Sequence, residues 1–208
     1  MFIYCMGVFL LSLPLWILWP LKVIDKKNLP KRGKGAIVCC NHHRFFDPML
    51  IGVHSPRRLY FVAKKELMRR PLIRFVIWST GSVSVDRGKT DLKALKRMLQ
   101  LLKAGKPLLM FPEGHRNKDG ENGELLALQH GAVMLAVKAR VPIVPAAMLK
   151  RPRLFRRNYL VYGESIEFSE LYGEILTKER LDGATQRLAE RMEALKHTEV
   201  GQKVKNKN

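Results

Sequence analysis

Short apolar runs and longer amphipathic segments alternate along most of this chain. The apolar runs are bounded by charged or turn-forming residues, which is typical of buried strands. They predict strands at residues 36–40, 59–63, 81–87, 107–111, 142–148 and 159–162. The intervening segments have the spacing of helices that bury one face. They predict helices at residues 49–53, 71–78, 90–104, 125–140 and 177–196.

The segment 90–104 carries the clearest helical pattern. Its apolar side chains recur at steps of three and four residues and predict one buried stripe, made of Leu92, Leu95, Leu99 and Leu102. Thr90 precedes the stripe and is expected to cap the helix through its hydroxyl group.

The alternation of strands and helices predicts an α/β fold. We expect a single domain with a mixed, largely parallel central sheet flanked by helices, preceded by an N-terminal membrane-embedded helical segment. The expected boundaries are 1–24 for the membrane segment, 25–197 for the main domain and 198–208 for a disordered tail.

The first 21 residues contain no charged side chain and are long enough to cross a bilayer. Basic residues follow this stretch rather than precede it, which favours an uncleaved segment over a signal peptide. The same asymmetry places the main domain on the cytoplasmic face of the (inner) membrane, anchored by the N-terminal segment. Pro14 and Pro20 interrupt a straight helix, so a hairpin within one leaflet and a full span both remain open.

The chain carries a formal net charge of +20, which implies an anionic partner. Between Lys22 and Arg74 there are fourteen basic residues and three acidic ones, a juxtamembrane excess that anionic lipid head groups attract. A nucleic-acid partner is not expected, because the sequence shows no nucleic-acid-binding fold or aromatic stacking platform. The three cysteines, Cys5, Cys39 and Cys40, form no disulfide framework, which fits a reduced compartment.

The most informative polar stretch is residues 41–48, which connect the first predicted strand to a short helix. Ligands of α/β proteins bind at the carboxyl ends of strands, so chemistry is expected here. His42 and Asp47 are too far apart to share one helical face, and a contact between them requires a curled backbone. Pro48 favours a helix that begins at itself, with Asp47 at its N-cap. A carboxylate that orients an imidazole leaves the other ring nitrogen free to act as a base.

Two other interpretations of this stretch need no catalysis. Asp47 could be an ordinary helix cap, and His42 a buried histidine that bonds to the backbone. A metal site formed by His43 with His54, His115 and His130 is not expected, because no pair of these histidines has the spacing of a known zinc motif.

A second polar stretch follows the predicted strand at 107–111. Pro112 and Gly114 mark a tight turn. Glu113 could accept a hydrogen bond from a substrate hydroxyl group, and the guanidinium of Arg116 suits a phosphate group. A plain ion pair between Glu113 and Arg116 is the alternative without function.

Four stretches occur in one order between residues 41 and 145 and together resemble a known family. They are Asn-His-x-x-x-x-Asp, Gly-Ser-Val-Ser-Val-Asp-Arg, Phe-Pro-Glu-Gly-His-Arg and Val-Pro-Ile-Val-Pro. In this order and behind an apolar segment, they resemble the glycerolipid acyltransferases, which include lysophosphatidate and glycerol-3-phosphate acyltransferases.

The resemblance implies that His42 is the catalytic base and Asp47 its partner. It assigns acceptor binding to the residues Arg87, Glu113, Gly114 and Arg116, with Arg116 facing the phosphate. It links the fourth stretch to acyl-donor binding and the pocket wall, through Val141, Pro142, Ile143 and Pro145. No metal and no cofactor is implied.

The implied reaction transfers a fatty acyl group from acyl-carrier protein or acyl-CoA to a lysophospholipid acceptor, 1-acylglycerol-3-phosphate, and gives phosphatidic acid. Glycerol-3-phosphate, another lysophospholipid or a lyso-aminolipid remain alternative acceptors. The acceptor is open because His115 and Asn117 replace small hydroxyl residues of the family, and Gln129 stands where a lysine is frequent. A non-catalytic lipid-binding protein is the alternative from another class.

Overall fold

The computed structural model describes residues 14–86, 91–117, 125–199 and 201–202. Its centre is a seven-stranded sheet with the strand order β1-β7-β6-β2-β5-β3-β4. The strands are β1 (Leu21–Ile24), β2 (Ile37–Cys40), β3 (Tyr60–Lys64), β4 (Val83–Val85), β5 (Leu108–Met110), β6 (Ile143–Met148) and β7 (Asn158–Tyr162). Neighbouring strands are parallel except β6 and β7. The predicted α/β class and the mixed, largely parallel sheet are confirmed.

Helices cover both faces of the sheet. They are α1 (Asp47–His54), α2 (Pro71–Thr80), α3 (Leu92–Lys103), α4 (Gly131–Ala139) and α5 (Lys178–Ala194), with short 3-10 segments at Lys26–Asn28, Lys65–Arg69, Ser169–Leu171 and Leu195–His197. Helix α1 packs on one face, where Leu50 and Ile51 join the side chains of β2, β5, β6 and β7. Helices α3, α4 and α5 pack on the other face. The central strand β2 is therefore buried at all four positions.

Helix α3 differs in detail from its prediction. Its N-cap is Asp91, whose side chain accepts a hydrogen bond from the Ala94 backbone N–H, and Thr90 lies outside the described residues. Leu92 is 68% exposed. The buried face of the helix is therefore rotated relative to the predicted stripe. It is formed by Ala94, Met98, Leu101 and Leu102.

Helix α4 is shorter than the predicted 125–140. Residues 125–130 have no regular helix, because their backbone donors bond to another loop. Gln129 N donates to Pro112 O at 2.8 Å, and Leu126 N donates to Glu113 Oε2 at 3.2 Å. Tertiary hydrogen bonds have here overridden a local helical preference.

The N-terminal region joins the sheet earlier than the sequence suggested. Residues 14–18 are helical, and Leu21–Ile24, which the sequence pattern assigns to the membrane segment, form the edge strand β1 beside β7. Among the described residues, no helix is long and apolar enough to cross a membrane. Residues 1–13, which hold most of the uncharged stretch, lie outside the described part.

At the other end, the predicted disordered tail begins with ordered backbone. Thr198 Oγ1 accepts a hydrogen bond from Gly201 N at 3.2 Å, and Gln202 N donates to Thr198 O at 2.9 Å. The remaining tail residues, 203–208, are outside the described part of the chain.

Candidate active site

Two loops meet at the carboxyl edge of the sheet because β2 and β5 are parallel neighbours. Cys39 of β2 lies opposite Met110 of β5, so the residues that follow both strands emerge side by side. The first loop connects β2 to α1 and carries His42. The second loop follows β5 and carries Glu113 and Arg116. The sheet thus brings together the two polar stretches that the sequence singled out.

His42 and Asp47 form the contact that the curled backbone was expected to allow. His42 Nδ1 lies 3.0 Å from Asp47 Oδ2. Because a carboxylate oxygen accepts, Nδ1 is the nitrogen that carries the hydrogen, and Nε2 keeps its lone pair. The Asp47 side chain is 1% exposed and that of His42 is 17% exposed. The aspartate is therefore enclosed, and the imidazole reaches the surface.

Asp47 does not cap α1 as predicted. It is the first residue of the helix, Phe46 is the N-cap, and the hydrogen bonds of the Asp47 side chain go to the preceding loop. Its Oδ2 atom instead accepts from the backbone N–H groups of His43 and Arg44, at 2.7 Å each, as well as from His42. The carboxylate closes the loop that precedes it, so a single oxygen both shapes the loop and orients the imidazole.

The imidazole of His42 borders a cavity of about 400 Å³. The Phe111 ring stacks on it, with centroids 4.1 Å apart and an angle of 26° between the planes. The cavity is lined by Phe45, Pro48, Met49, Phe61, Val62, Ala63, Lys64, Leu67, Ile73, Val76, Ile77, Phe111, Gly114, His115 and Arg116, besides His42 itself. The cavity is mainly apolar, and its wall also carries the imidazole of His42 and the cationic side chains of Lys64 and Arg116. Such a cavity suits an amphiphilic anion.

Glu113 has a different role from the predicted one. Its side chain is fully buried. Oε1 accepts from His42 N at 2.8 Å and Oε2 accepts from Leu126 N at 3.2 Å. Since both carboxylate oxygens bond to backbone groups, Glu113 holds the His42 loop and residues 125–126 instead of facing an acceptor hydroxyl group. Burial raises the pKa of Glu113 to about 7.

Asn41 and His43 fix the other side of the same loop. Asn41 Oδ1 accepts from Met148 N at 2.7 Å and Asn41 Nδ2 donates to Met148 O at 3.0 Å, which ties the end of β2 to the end of β6. Asn41 Nδ2 also lies 2.9 Å from His43 Nε2, which must accept. Burial lowers the pKa of His43, which favours the neutral form of this imidazole. His43 is thus buried beside Asn41, whereas the imidazole of His42 is partly accessible.

Lys196 is an element of the site's surroundings that the sequence did not reveal. It is 3% exposed, and its Nζ lies 2.5 Å from Glu193 Oε2. Its positive charge acts on both His43 and Glu113 and opposes the rise in the pKa of Glu113. No local pattern signals this, because Lys196 comes from the end of the chain. For Asn41 and Phe111 a signal existed: Asn41 directly follows the strand predicted at 36–40, and Phe111 is the last residue of the strand predicted at 107–111.

The remaining predicted site residues fall into three groups. Gly114 and Arg116 line the cavity with His42, and Gly114 adopts the left-handed conformation, with φ +76°, that a side chain disfavours. Arg87 lies outside the described residues. The third group belongs to or borders β6 and is packed beside β2, away from the lining of the His42 cavity: Val141, Pro142, Ile143 and Pro145.

Two of the histidines considered as metal ligands, His54 and His130, make other contacts. His54 Nδ1 bonds to Leu50 O within α1, and its ring stacks on Trp16. His130 contacts Thr185 and Asp182 of α5. Within the part of the chain that the structure describes, no three potential metal ligands come together.

Comparison with known proteins places these features in a family. The acyltransferase family model matches residues 20–149. The chain is 30% identical over 182 residues to a 1-acyl-sn-glycerol-3-phosphate acyltransferase of Bacillus subtilis, covering 85% of this chain and 88% of that protein. A Helicobacter pylori protein of the same name is 31% identical over 139 residues, covering 64% of this chain and 58% of that one.

A solved structure is similar over most of the fold. It is the crystal structure of the 1-acyl-sn-glycerophosphate (LPA) acyltransferase PlsC from Thermotoga maritima. The TM-score is 0.66 at 25% sequence identity, and the match covers 92% of this chain and 79% of that one.

Proposed function

Because the chain belongs to the acyltransferase family, we propose that it transfers a fatty acyl group from an acyl thioester to the free hydroxyl group of 1-acylglycerol-3-phosphate, which gives phosphatidic acid. The observation that carries this proposal is the oriented His42 imidazole at the wall of an apolar cavity that also contains Arg116. The relatives named above bear the name of this activity.

His42 acts as the general base in this proposal. Its Nε2 takes the proton from the acceptor hydroxyl group while the hydroxyl oxygen attacks the thioester carbonyl carbon. Asp47 stabilises the imidazolium that forms, because its Oδ2 lies 3.0 Å from Nδ1. When the carbon–sulfur bond breaks, the imidazolium returns the proton to the departing thiolate. The products are the new ester and a free thiol.

The transfer is direct in this proposal. None of the described side chains that line the cavity is a serine, threonine or cysteine. Cys40 precedes the His42 loop but is fully buried, and burial raises the pKa of its thiol. Among the described lining residues, no hydroxyl or thiol group is therefore placed to form an acyl-enzyme intermediate.

Arg116 and Lys64 are the groups that we propose for the acceptor phosphate. Both line the cavity, and both are exposed at its mouth. A planar guanidinium can bind two phosphate oxygens at once, which favours Arg116 as the principal contact. Lys64 adds a cation that the sequence pattern did not include. Arg87 remains a prediction for the same head group.

The acyl chain requires an apolar space next to the base. A second cavity, of about 420 Å³, shares Val62, Phe111 and Gly114 with the first one. Its wall is mainly apolar and includes Val85, Leu95, Met98, Met110 and Leu135. We propose that it takes an acyl chain, from either acyl-carrier protein or acyl-CoA. In this arrangement, residues 141–145 support β2, the strand that leads to the His42 loop.

We place the enzyme at the cytoplasmic face of the membrane, held by its uncharged N-terminal stretch and by its basic surface. The support is the absence of charge in residues 1–21 and the basic excess that follows them. A lipid-soluble acceptor then reaches the cavity from the bilayer, and the soluble donor reaches it from the aqueous side.

An acyltransferase assay of the purified full-length protein tests the reaction. The acceptor panel contains 1-acylglycerol-3-phosphate, glycerol-3-phosphate, a neutral lysophospholipid and a lyso-aminolipid, each with acyl-CoA and with acyl-carrier protein. We expect the highest kcat/KM for 1-acylglycerol-3-phosphate. A preference for another acceptor would keep the chemistry and overturn the assigned substrate.

Variants test the assigned roles in the same assay. His42→Ala should lower the rate by about 10²- to 10⁴-fold, the usual value of a general base. Arg116→Ala should lower kcat/KM for the phosphorylated acceptor by about 10- to 150-fold, since a charged hydrogen bond is worth about 1.5–3 kcal/mol. His115→Ala is the matched control, because His115 lines the same cavity and is exposed. Equal losses in all three variants would contradict the roles.

A further inference from the structure

The loop between β6 and β7 combines positive charge with exposed apolar side chains. Residues 150–157 read Lys-Arg-Pro-Arg-Leu-Phe-Arg-Arg and contain five basic residues and no acidic one. Leu154 and Phe155, at the centre of this sequence, are 50% and 71% exposed. We call residues 150–157 the basic loop.

Hydrogen bonds define the conformation of the basic loop. Asn158, which is 7% exposed, accepts from Arg153 N at 2.8 Å and donates to Arg153 O and Arg156 O at 3.1 and 2.9 Å. Phe155 has a φ of +54°, in the left-handed region that a bulky residue disfavours. Its N–H donates to Leu18 O at 2.7 Å. These bonds fix the backbone around Leu154 and Phe155, and the two apolar side chains remain exposed to solvent.

The basic loop is attached to the end of the uncharged N-terminal stretch. Besides the Phe155–Leu18 bond, Asn158 N donates to Pro20 O at 2.8 Å. Trp16 and Ile17, directly before Leu18, are 57% and 61% exposed. Exposed apolar side chains from two distant parts of the sequence therefore project from neighbouring backbone.

From this juxtaposition we propose that the basic loop is a second membrane-binding element, which inserts Leu154 and Phe155 into the head-group region of an anionic bilayer. Charge complementarity selects the occupant: Arg153, Arg156 and Arg157 are exposed around the apolar pair and match anionic lipid head groups. Apolar side chains between cations are the pattern by which proteins lie at a membrane interface. This inference rests on the proposed membrane location of the enzyme.

The experiment places a reporter on the loop itself. Phe155→Cys in a Cys5→Ser background is labelled with an environment-sensitive fluorophore, while Cys39 and Cys40 are fully buried and stay unlabelled. The full-length protein is mixed with vesicles of phosphatidylcholine alone or of phosphatidylcholine with phosphatidylglycerol. We expect a blue shift with the anionic vesicles only.

Two double variants separate the charge from the apolar contact. Arg156→Gln with Arg157→Gln should weaken binding to anionic vesicles by about fivefold for each cation, from the usual value of about 1 kcal/mol for a basic residue near an anionic surface. Leu154→Ser with Phe155→Ser should weaken binding without changing its dependence on salt. Lys93→Gln with Lys96→Gln, two exposed lysines of α3, is the matched charge control and should bind like the parent protein.

Activity distinguishes a failure of this inference from a failure of the proposed function. The loop variants should keep the parent rate on acceptor dispersed in detergent and lose rate on acceptor embedded in anionic vesicles. A reporter that stays in water with both vesicle types would overturn the inference, even with an active enzyme. Equal shifts with neutral and anionic vesicles would overturn its charge argument. A shift caused only by acyl-carrier protein would reassign the loop to a protein partner.

Discussion

Replacing Asp47 with asparagine separates the two tasks of this carboxylate. Asp47 Oδ2 accepts from His42 Nδ1 and from the backbone N–H groups of His43 and Arg44. An asparagine whose Oδ1 atom takes the place of Oδ2 can accept the same three bonds. The loop should therefore keep its shape in Asp47→Asn, and only the negative charge beside the imidazole is lost.

The expected loss of rate follows from the geometry. An imidazolium and a carboxylate near 4 Å apart attract by about 4 kcal/mol at an effective dielectric constant of about 20. A charged hydrogen bond gives a lower bound of about 1.5–3 kcal/mol. The imidazolium exists only once the acceptor proton has moved, so this energy is lost mainly from kcat. At about 1.4 kcal/mol for each tenfold change, we expect a loss of roughly 10- to 10³-fold.

The assay combines steady-state kinetics with unfolding by urea. Asp47→Asn should keep its acceptor KM and lose kcat, while its free energy of unfolding stays close to that of the parent protein. Asp47→Ala should lose both kcat and stability, because buried N–H groups left without an acceptor cost about 1–3 kcal/mol each. A fully active Asp47→Asn enzyme would show that Asp47 only closes the loop. An Asp47→Asn chain as unstable as Asp47→Ala would show that the asparagine does not replace the hydrogen bonds.

Two further predictions concern stability. The raised pKa of Glu113 means that the folded chain holds this proton more tightly than the unfolded chain, so the contribution of Glu113 is largest below the ordinary glutamate pKa of 4.5 and is lost as the pH rises through about 7. The free energy of unfolding of the parent minus that of Glu113→Gln should fall by about 3 kcal/mol across this range; a difference independent of pH would contradict it. Gly35→Ala should destabilise the chain by about 1–3 kcal/mol, since the new Cβ would lie 2.2 Å from Leu102 O. Gly183→Ala, inside α5 with open space around it, should add about 0.5–1 kcal/mol, and chemical denaturation of both variants checks the pair.

The sequence predicted the central strands well because each is a short apolar run between polar turns. It missed β1 because Leu21–Ile24 continue the uncharged N-terminal stretch, and nothing local distinguishes an edge strand from the end of such a stretch. The helix predicted at 125–140 failed for a different reason. The backbone donors of Leu126 and Gln129 bond to the loop after β5, a contact that periodicity cannot reveal.

For the candidate site, the sequence predicted the His42–Asp47 contact from the five-residue spacing and the position of Pro48. It placed Asp47 at the N-cap of α1, whereas Asp47 is the first helical residue, because cap preference is only a local tendency. It also assigned Glu113 to the acceptor. A carboxylate in a loop gives no sign of its burial, and only the strand order shows that β5 runs directly beside β2.

The strand order also explains why two distant stretches of sequence act as one unit. His42 uses both of its backbone groups to bond to the second loop: its N–H donates to Glu113 Oε1, and its carbonyl accepts from Asn117 N at 2.7 Å. The imidazole position therefore depends on residues far along the chain, whereas Arg116, three residues beyond Glu113, lines the cavity. Within a single short stretch, Glu113 and Asn117 hold the base in place and Arg116 faces the space for the substrate. The turn at Gly114, whose φ of +76° suits a glycine, separates the buried Glu113 from the exposed Arg116, so one short stretch serves both the support of the base and the binding of the substrate.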